Sequence, residues 1–389
     1  MRDAVIVDAV RSPVGKRNGA LSGVHPVDLS GAVLEALASR NDLDPSLVDD
    51  VIWGCVSQVG EQSGNVGRFA VLAAGWPEEV PSVTIDRQCG SSQQSVHFAA
   101  AGVMSGQYDV VVAGGVESMS RIPMGSTRKG GLGAPYGPKA LARYGGVQFN
   151  QGVSAETIAR RWNLSRADLD QHALESHAKA ADAIDGGRFK SEIAPITVVD
   201  DNGSTTVVDT DEGVRRGGSL ESLRKLKPAF DDDGVITAAN SSQISDGASA
   251  LLITTSERAR ELGWQPLARL HSFALAGVDP ITMLTGPIPA TEKVLKSAHL
   301  DIDAIGAFEV NEAFASVTLA WLAETGADPA RLNPNGGAIA LGHPLGASGG
   351  RLMTTLVHHM RASGVRFGLQ SMCEGGGMAN ATVLERLDG

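Results

Sequence analysis

Two cysteines and one histidine lie in three separate glycine-rich turns of the sequence. They are Cys89 in DRQCGSS, His343 in GGAIALGHPLGASGG and Cys373 in SMCEGGG. A cysteine and a histidine are a common pair of nucleophile and base, and a second cysteine in a turn of its own indicates a second role for a thiol. The combination predicts chemistry on a thioester, in which a carbon–carbon bond is made or broken.

Cys89 stands between a strand-like and a helix-like segment, so we expect it at the N-terminus of a helix. The positive end of a helix dipole stabilises a thiolate, and an ordinary thiol with a pKa of ~8.5 is only about 3% ionised at pH 7. His343 has an ordinary pKa near neutrality and precedes a proline, which favours an extended backbone, so it is a candidate base. The alternatives are a structural cysteine and a packed or surface histidine. Cys55, in DDVIWGCVSQ, lacks such a turn and is predicted to be a core residue.

Polar residues also stand at the ends of two apolar segments. Cys373 ends one of them and begins a glycine corner, where free backbone amides can face a developing oxyanion. Asn311 and Glu312 end the other, in FEVNEAFAS. Burial of such groups without partners costs about 1–3 kcal/mol each, so these side chains either pair with other groups or serve a site.

The elements that must position these residues are repeated along the chain. Glycine accounts for 47 of the 389 residues and is concentrated in turns beside apolar segments. Three segments of the first half (33–56, 86–106 and 108–120) have counterparts in the second (294–310, 333–360 and 367–380). Continuous apolar strands that alternate with helices predict sheets covered on both faces. The sequence therefore predicts a layered α/β protein of two similar halves.

Residues 119–244 interrupt this pattern with a polar insert, which we expect to lie over the core as a lid or binding domain. Helix caps are predicted at Ser154 and Ser165. The run RRGGSLESLRKLK sets five basic side chains against Glu221, and a solvated surface is its plainer interpretation. The basic residues of this run are Arg215, Arg216, Arg224, Lys225 and Lys227.

The bulk composition excludes several classes of protein. A hydrophobic content of 42% and a charged content of 20% predict a soluble globular protein, and no stretch approaches the roughly 20 apolar residues that span a membrane. The net charge of −11 argues against nucleic acid or an anionic membrane as partner. Three cysteines without paired spacing favour neither disulfides nor a zinc site, and the first ten residues lack the pattern of a signal peptide. We therefore expect a cytoplasmic location.

Taken together, these motifs resemble the thiolase family over essentially the whole chain. The motifs are CGSS at Cys89, NEAFA at Asn311, NGGAIALGHPLGASG ending at Gly349 and CEGGGM at Cys373, all in the family's order. The resemblance implies a duplicated five-layer α/β/α/β/α fold with an inserted loop domain, a homodimer or homotetramer, and a place in fatty acid or lipid metabolism such as β-oxidation. Its N-terminal half would comprise residues 1–118 and 245–266, its coenzyme A-binding loop domain residues 119–244, and its C-terminal half residues 267–389.

The resemblance also implies a role for each candidate catalytic residue. Cys89 would hold the acyl group as a thioester after His343 takes its proton. His343 and a water held by Asn311 would form one oxyanion hole, and the backbone amides of Cys89 and Gly375 would form the second. Cys373 would act as acid and base on the acetyl carbon and then on the coenzyme thiol.

The same resemblance makes coenzyme A a co-substrate and implies no metal and no bound cofactor. Contacts to coenzyme A would come from Arg215, Ser222 and Ser242. The expected reaction is the reversible cleavage of a 3-ketoacyl-CoA by coenzyme A into acetyl-CoA and a shortened acyl-CoA, with no nucleic acid or membrane as partner.

Three positions depart from the family pattern. Asp86 stands where asparagine is common and Ser92 where glycine is common, from which we expect altered packing of the turn rather than lost activity. Asn150 takes the place of a histidine that is usual in acetoacetyl-specific members. This exchange favours a longer or bulkier 3-ketoacyl group.

Two other functions compete with this interpretation. The ketoacyl synthases share the fold and a cysteine but use two histidines, whereas this chain has Cys373. A non-catalytic thiolase-like carrier of acyl-CoA or lipid would be expected to have lost a catalytic residue. Since Cys89, Asn311, His343 and Cys373 are all present, both alternatives rank below a thiolase.

Overall fold

The structure is a computed structural model that describes residues 2–128, 133–199 and 202–387. The two ends of the chain and six residues of the predicted insert, 129–132 and 200–201, lie outside these ranges.

Strands and helices alternate along most of the chain. Up to residue 118 the elements are β1 (Val5–Arg11), β2 (Gly15–Lys16), α1 (Pro26–Asn41), β3 (Asp50–Gly54), α2 (Val66–Ala73), β4 (Ser82–Ile85), α3 (Ser91–Ser105) and β5 (Val110–Ser118). In residues 119–244 they are α4 (Pro138–Arg143), α5 (Gln151–Arg161), α6 (Arg166–Asp185), β6 (Ile196–Val199), β7 (Thr205–Val208) and α7 (Leu220–Arg224). The remainder contributes β8 (Ser245–Thr254), α8 (Ser256–Glu261), β9 (Ala268–Gly277), α9 (Pro287–Ala298), β10 (Ala307–Val310), α10 (Ala315–Thr325), α11 (Ala338–Leu341), α12 (Leu345–Ser363), β11 (Phe367–Glu374) and β12 (Met378–Arg386).

The main sheet joins the two halves of the chain edge to edge. Its strand order is β10-β11-β12-β9-β1-β8-β5-β3-β4, with β2 paired to β8, and β6 and β7 form a separate hairpin. In the part of the chain that the structure describes, β1 and β9 pair only through Val5 with Arg269 and Ile6 with Ala268. This short junction divides the sheet into the two similar halves that the sequence predicts.

The strand register confirms the duplication. Asp50 of β3 pairs with Val111 of β5, and Ala307 of β10 pairs with Gly368 of β11. Both residues of the second pair lie 257 positions after those of the first (307 − 50 and 368 − 111). Positions in the two halves can therefore be matched one to one along these strands.

Apolar residues cover both faces of each half of the sheet. Successive residues of a strand point to opposite faces, so on β8 Leu252 packs in the apolar cluster of α1 and α2, whereas Leu251 packs in the cluster of α3 and α12. A third cluster contains Val294 of α9 and Trp321 of α10 on the outer face of the second half. Helices, sheet, helices, sheet and helices follow in order, which confirms the expected five-layer α/β/α/β/α arrangement.

The helices α3 and α12 of the middle layer cross in close contact. A side chain at Gly349 would run into the backbone of Gln93, so the crossing requires a glycine there. The amide of Gly350 donates a hydrogen bond to Oγ of Ser92 at 2.8 Å. Ser92, one of the departures from the family pattern, therefore joins the two helices whose N-terminal turns contain the motifs of Cys89 and His343.

One of the two predicted helix caps is correct. Ser165 caps α6 in a capping box with Asp168. The prediction at Ser154 is wrong, because α5 begins at Gln151 and its cap is Asn150. Oδ1 of Asn150 accepts from the amides of residues 152 and 153 at 2.9 and 3.1 Å. Asparagine caps a helix as well as serine does, and the sequence offers both residues within four positions.

Neither a membrane span nor a metal cluster is found among the described residues. No helix there is long and apolar enough to cross a bilayer. Over the same ranges, no group of three or more histidine, cysteine, aspartate or glutamate side chains is arranged to hold a metal ion.

Candidate active site

A strained turn between β4 and α3 presents Cys89. Gln88, the preceding residue, has φ of +48°, which is uncommon for a residue other than glycine. Oδ1 of Asp86 accepts from the amide of Gln88 at 2.6 Å, and the hydroxyl of Ser91 donates to the carbonyl of Gln88 at 2.6 Å. Asp86, the second departure from the family pattern, thus fixes the backbone of the nucleophile turn, as strained backbone requires.

His343 is held in one tautomer by the helix that follows it. The hydroxyl of Ser348 donates to the carbonyl of Pro344 at 2.8 Å, and its oxygen lies 2.6 Å from Nδ1 of His343. Because the hydroxyl proton is already engaged, Nδ1 must carry the proton and donate to Ser348. Nε2 is therefore unprotonated, the state that a general base requires, and its lone pair faces the donor Nδ2 of Asn311 at 3.3 Å.

The turn NEAFA supplies one residue to the site and one to its support. Nδ2 of Asn311 lies 3.3 Å from Nε2 of His343, and a hydrogen bond from Asn311 also stabilises the thiolate of Cys373. Oδ1 of Asn311 is buried, and no described residue donates a hydrogen bond to it. Glu312, in contrast, accepts from Ser176, Asn333 and the amide of residue 339 at 2.7–3.1 Å. Of the two residues that the sequence left undecided, Glu312 pairs and Asn311 faces the site.

The two thiols lie in a shared electrostatic environment. A charge on Cys373 raises the pKa of Cys89, which shows that the turns of the two halves meet. Gly375 lies against Gln88, since a side chain built on Gly375 would reach Oε1 of Gln88 at 3.0 Å. The structure therefore brings the turns of Cys89, Asn311 and Cys373 together, and Asn311 links His343 to them. Cys55 is buried in the apolar core, as predicted.

Burial sets the protonation states of these groups. It raises the pKa of Cys89 well above its ordinary value, an effect to which Cys373 and Glu374 add, and it raises the pKa of Cys373 to about 12. Desolvation thus outweighs the stabilisation of a Cys89 thiolate that the helix N-terminus offers. Burial, with a smaller effect from Arg351, lowers the pKa of His343 to about 3. At neutral pH all three groups are uncharged, so a thiolate would have to be formed by proton transfer to a neighbouring base.

The residues predicted to contact coenzyme A lie in two places. The backbone amide of Ser242 donates to the carbonyl of Ala313 at 2.9 Å, beside the site. Arg215 and Ser222 are exposed further out; Arg215 lines a surface pocket of about 370 Å³, and the hydroxyl of Ser222 takes part in the cap of α7.

The side chain of Gln243 connects the segment of Arg215 to the site. Nε2 of Gln243 donates to the carbonyls of Gly213 and Ala340 at 2.9 and 3.0 Å. The carbonyl of Gln243 accepts from the amide of His343 at 3.2 Å.

Sequence reasoning missed two residues of this region. Ser348 orients His343 across one turn of α12, and no feature of the sequence distinguishes it from other small helix residues. Glu374 is completely buried beside Cys373, and within the described ranges both of its carboxyl oxygens lack hydrogen-bond partners. Its signal was visible, because an acidic residue at the end of an apolar strand requires an explanation.

Comparison with known proteins agrees with this fold. The family models for the N-terminal and C-terminal domains of thiolase match residues 4–257 and 264–386. The chain belongs to the thiolase family, and it is accordingly an acyltransferase.

Three relatives illustrate the similarity. Steroid 3-ketoacyl-CoA thiolase FadA6 of Mycobacterium tuberculosis is 51% identical over 100% of this chain and 95% of its own. The 3-ketoacyl-CoA thiolase of Marinobacter nauticus is 44% identical over 99% of both chains. That of Photobacterium profundum is also 44% identical, over 100% of both chains.

The orienting role of Ser348 can be tested by its removal. We expect Ser348→Ala to lower kcat for thiolysis about 10- to 100-fold, because His343 loses the acceptor that fixes its tautomer and general-base catalysis is worth about 100- to 10,000-fold. The measurement is steady-state kinetics together with the thermal midpoint.

Ser316→Ala is the matched control, since the buried hydroxyl of Ser316 has no hydrogen-bond partner in the part of the chain that the structure describes. Equal activity of the two variants would show that Ser348 does not orient the base.

Proposed function

We propose that the protein cleaves 3-ketoacyl-CoA with coenzyme A through an acyl group held on Cys89. The observation that carries this proposal is the single tautomer of His343, whose Nε2 lone pair lies 3.3 Å from Asn311 in the site of two protonated thiols. A neutral imidazole in this tautomer can accept the proton of a thiol, so the resting enzyme need not hold a thiolate and an imidazolium as separated charges.

The first half-reaction transfers the acyl group to the enzyme. Nε2 of His343 takes the proton of Cys89, and Sγ attacks the 3-keto carbon of the substrate. The bond between C2 and C3 then breaks, its electron pair passes to C2, and the thiol of Cys373 protonates C2 to give acetyl-CoA. The backbone amides of Cys89 and Gly375 stabilise the tetrahedral oxyanion, and His343 with a water on Oδ1 of Asn311 stabilises the enolate oxygen.

The second half-reaction releases the product and restores the site. The thiolate of Cys373 takes the proton of incoming coenzyme A, and the coenzyme thiolate attacks the thioester on Cys89. Acyl-CoA leaves, and Cys89 regains the proton held by His343. Cys89 recovers its own proton through His343, and Cys373 replaces the proton it gave to C2 with the proton of coenzyme A. The two half-reactions therefore balance without a metal or a redox partner.

We further propose that residues 119–244 form a domain that binds coenzyme A, with Arg215, Ser222 and Ser242 as contacts. In this division residues 1–118 and 245–266 form the N-terminal half, and residues 267–389 form the C-terminal half. The exposed guanidinium of Arg215 suits a phosphate group. The hydrogen bonds of Gln243 to the loop before Arg215 support a path from that loop to His343.

A longer or bulkier acyl group is the substrate we infer. Asn150 is occupied as the cap of α5, and the neighbouring Phe149 packs edge to face against Tyr136 and Tyr144 at 5.3 and 5.2 Å. Aromatic side chains at this position suit an apolar ligand better than a polar four-carbon chain. The name of the relative from M. tuberculosis points to a steroid-derived acyl group as one candidate.

We also propose that the enzyme is a cytoplasmic homodimer or homotetramer. Strand β4 is at the edge of the sheet, with Val83 on it 42% exposed. Phe69 on α2 and Phe98 on α3, the helices on either face of this edge, are 45% and 48% exposed. An open edge with large apolar side chains is a surface that a second copy of the chain can cover. Three free, buried cysteines support a reducing compartment.

The acyl-enzyme provides the direct test of the reaction. Incubation with a 3-ketoacyl-CoA should add the mass of one acyl group to the wild-type protein, and Cys89→Ser should abolish this adduct, because serine is not ionised by the histidine as readily. Intact mass spectrometry measures both. Cys55→Ala, which removes a thiol of the core, is the control and should retain the adduct; an unchanged adduct in Cys89→Ser would refute the role of Cys89.

Thiolysis rates over a graded series of 3-ketoacyl-CoAs test the substrate. We expect kcat/KM to rise from acetoacetyl-CoA towards longer or polycyclic acyl groups, because a buried CH₂ contributes about 0.8 kcal/mol. A preference for acetoacetyl-CoA would contradict this expectation. Binding of acyl-CoA without thiolysis at any length would favour the non-catalytic lipid carrier.

The proposed assembly surface can be disrupted at one position. Val83→Glu should reduce the molar mass measured by light scattering after size-exclusion chromatography, because it would bury an unpaired charge between copies. Val207→Glu, on the exposed hairpin strand β7, serves as the control and should leave the mass unchanged. An unaltered mass for Val83→Glu would show that copies associate elsewhere.

A further inference from the structure

Glu374 is a buried carboxyl group that the proposed mechanism does not use. Its side chain is completely buried, and neither oxygen has a hydrogen-bond partner among the residues that the structure describes. Oε1 lies so close to Gly90 that a side chain at that position would collide with it. The carboxyl therefore sits beneath the residue that follows Cys89, and its own backbone follows Cys373.

The equivalent carboxyl of the other half has a different environment. Glu117 of β5 matches Glu374 of β11 in the register of the duplication (374 − 117 = 257). The carboxylate of Glu117 accepts from the amides of Val56, Ser57 and Gly346 and from the side chain of Gln62, all within 3.0 Å. Four donors make Glu117 a structural carboxylate, whereas none of the described residues donates to Glu374.

Few charged groups lie close enough to Glu374 to affect its pKa. Burial is the largest effect and raises the pKa of Glu374 to about 8; Arg87 opposes this rise and Asp86 adds to it. A charge on Glu374 in turn raises the pKa of both Cys89 and Cys373. Glu117 acts on Cys89 as well, but more weakly than Glu374 does.

We propose that Glu374, buried beside both thiol turns with no donor among the described residues, is a positioning residue that controls thiolate formation at Cys89: a neutral carboxyl permits the thiolate and an ionised one opposes it. The inference rests on the proposed role of Cys89 as nucleophile. An ionised carboxyl at this place would oppose the thiolate each time one formed. A neutral carboxyl leaves that thiolate stabilised by the surrounding backbone amides.

With Glu374 in this role, the alkylation rate of Cys89 depends on pH differently from that of a simple thiol. The logarithm of the alkylation rate of a simple thiol rises with a slope of one per pH unit below its pKa. With Glu374 present, the rise should flatten as the carboxyl ionises near pH 8 and resume at higher pH. A coupling of about one pKa unit corresponds to a tenfold lower rate on the alkaline side.

The test is the rate of alkylation of Cys89 by iodoacetamide between pH 6 and 10, followed by peptide mass mapping and normalised to the rate at pH 7. Glu374→Gln keeps the shape of a neutral carboxyl, so its curve should rise without flattening and exceed the wild type about tenfold at pH 9.5. Asp86→Asn should retain the flattening but move it to lower pH, since Asp86 raises the pKa of Glu374. This second variant keeps the test valid if Glu374→Gln fails to fold.

The matched control is the same substitution at the equivalent position. Glu117→Gln should lower the thermal midpoint, because an amide cannot accept from all four donors, yet it should keep the flattening near pH 8. Superimposable curves for wild type and Glu374→Gln, or an unshifted curve for Asp86→Asn, would overturn the inference. Alkylation needs no turnover, so a protein that shows these shifts but no thiolysis would contradict the proposed reaction and leave this inference intact.

Discussion

The close crossing of α3 and α12 is the contact on which the rest of the structure depends. Each helix begins just after one of the turns that contain Cys89 and His343, and the crossing lies within one to two turns of both helix starts. Gly349 lets the backbones approach, and the hydrogen bond from Gly350 to Ser92 fixes the position of one helix along the other. Because the two halves pair through few strand residues, this middle layer largely sets how the two turns face each other.

Burial at this crossing determines the kind of chemistry that the site can perform. A desolvated site penalises every charge, so the thiols and the imidazole rest in their neutral forms. Proton transfer between neutral groups is then favourable only when a substrate oxyanion and its donors are in place. The orientation of His343 by Ser348 therefore matters more than its ordinary pKa, because a base with a lowered pKa works through geometry and through the charge that develops next to it.

Local signals of the sequence predicted a layered α/β fold of two similar halves, and they singled out Cys89, Asn311, His343 and Cys373 as candidate site residues. Glycine corners, apolar strands and the repeated order of elements are readable within short windows, and they gave the layers and the turns of Cys89 and Cys373. Features that depend on contacts between distant segments could not be predicted in this way. The cap of α5 was assigned to Ser154 instead of Asn150, since both residues satisfy the local rule, and the protonation of Cys89 follows from layers that bury it from elsewhere in the chain.

The duplication also explains why one site forms instead of two. In the register of the repeat, Gly54 is equivalent to Asn311, and Val116 is equivalent to Cys373 (311 − 54 = 373 − 116 = 257). The first half thus has Gly54 and Val116 where the second half has polar side chains, and a side chain at Gly54 would meet the backbone of Ser91 and Ser92. The carboxylate of Glu117 is satisfied by four donors. Among the described residues Glu374 has no such donor, so at these matched positions the symmetric scaffold leaves Asn311 and Glu374 unsatisfied in the second half only.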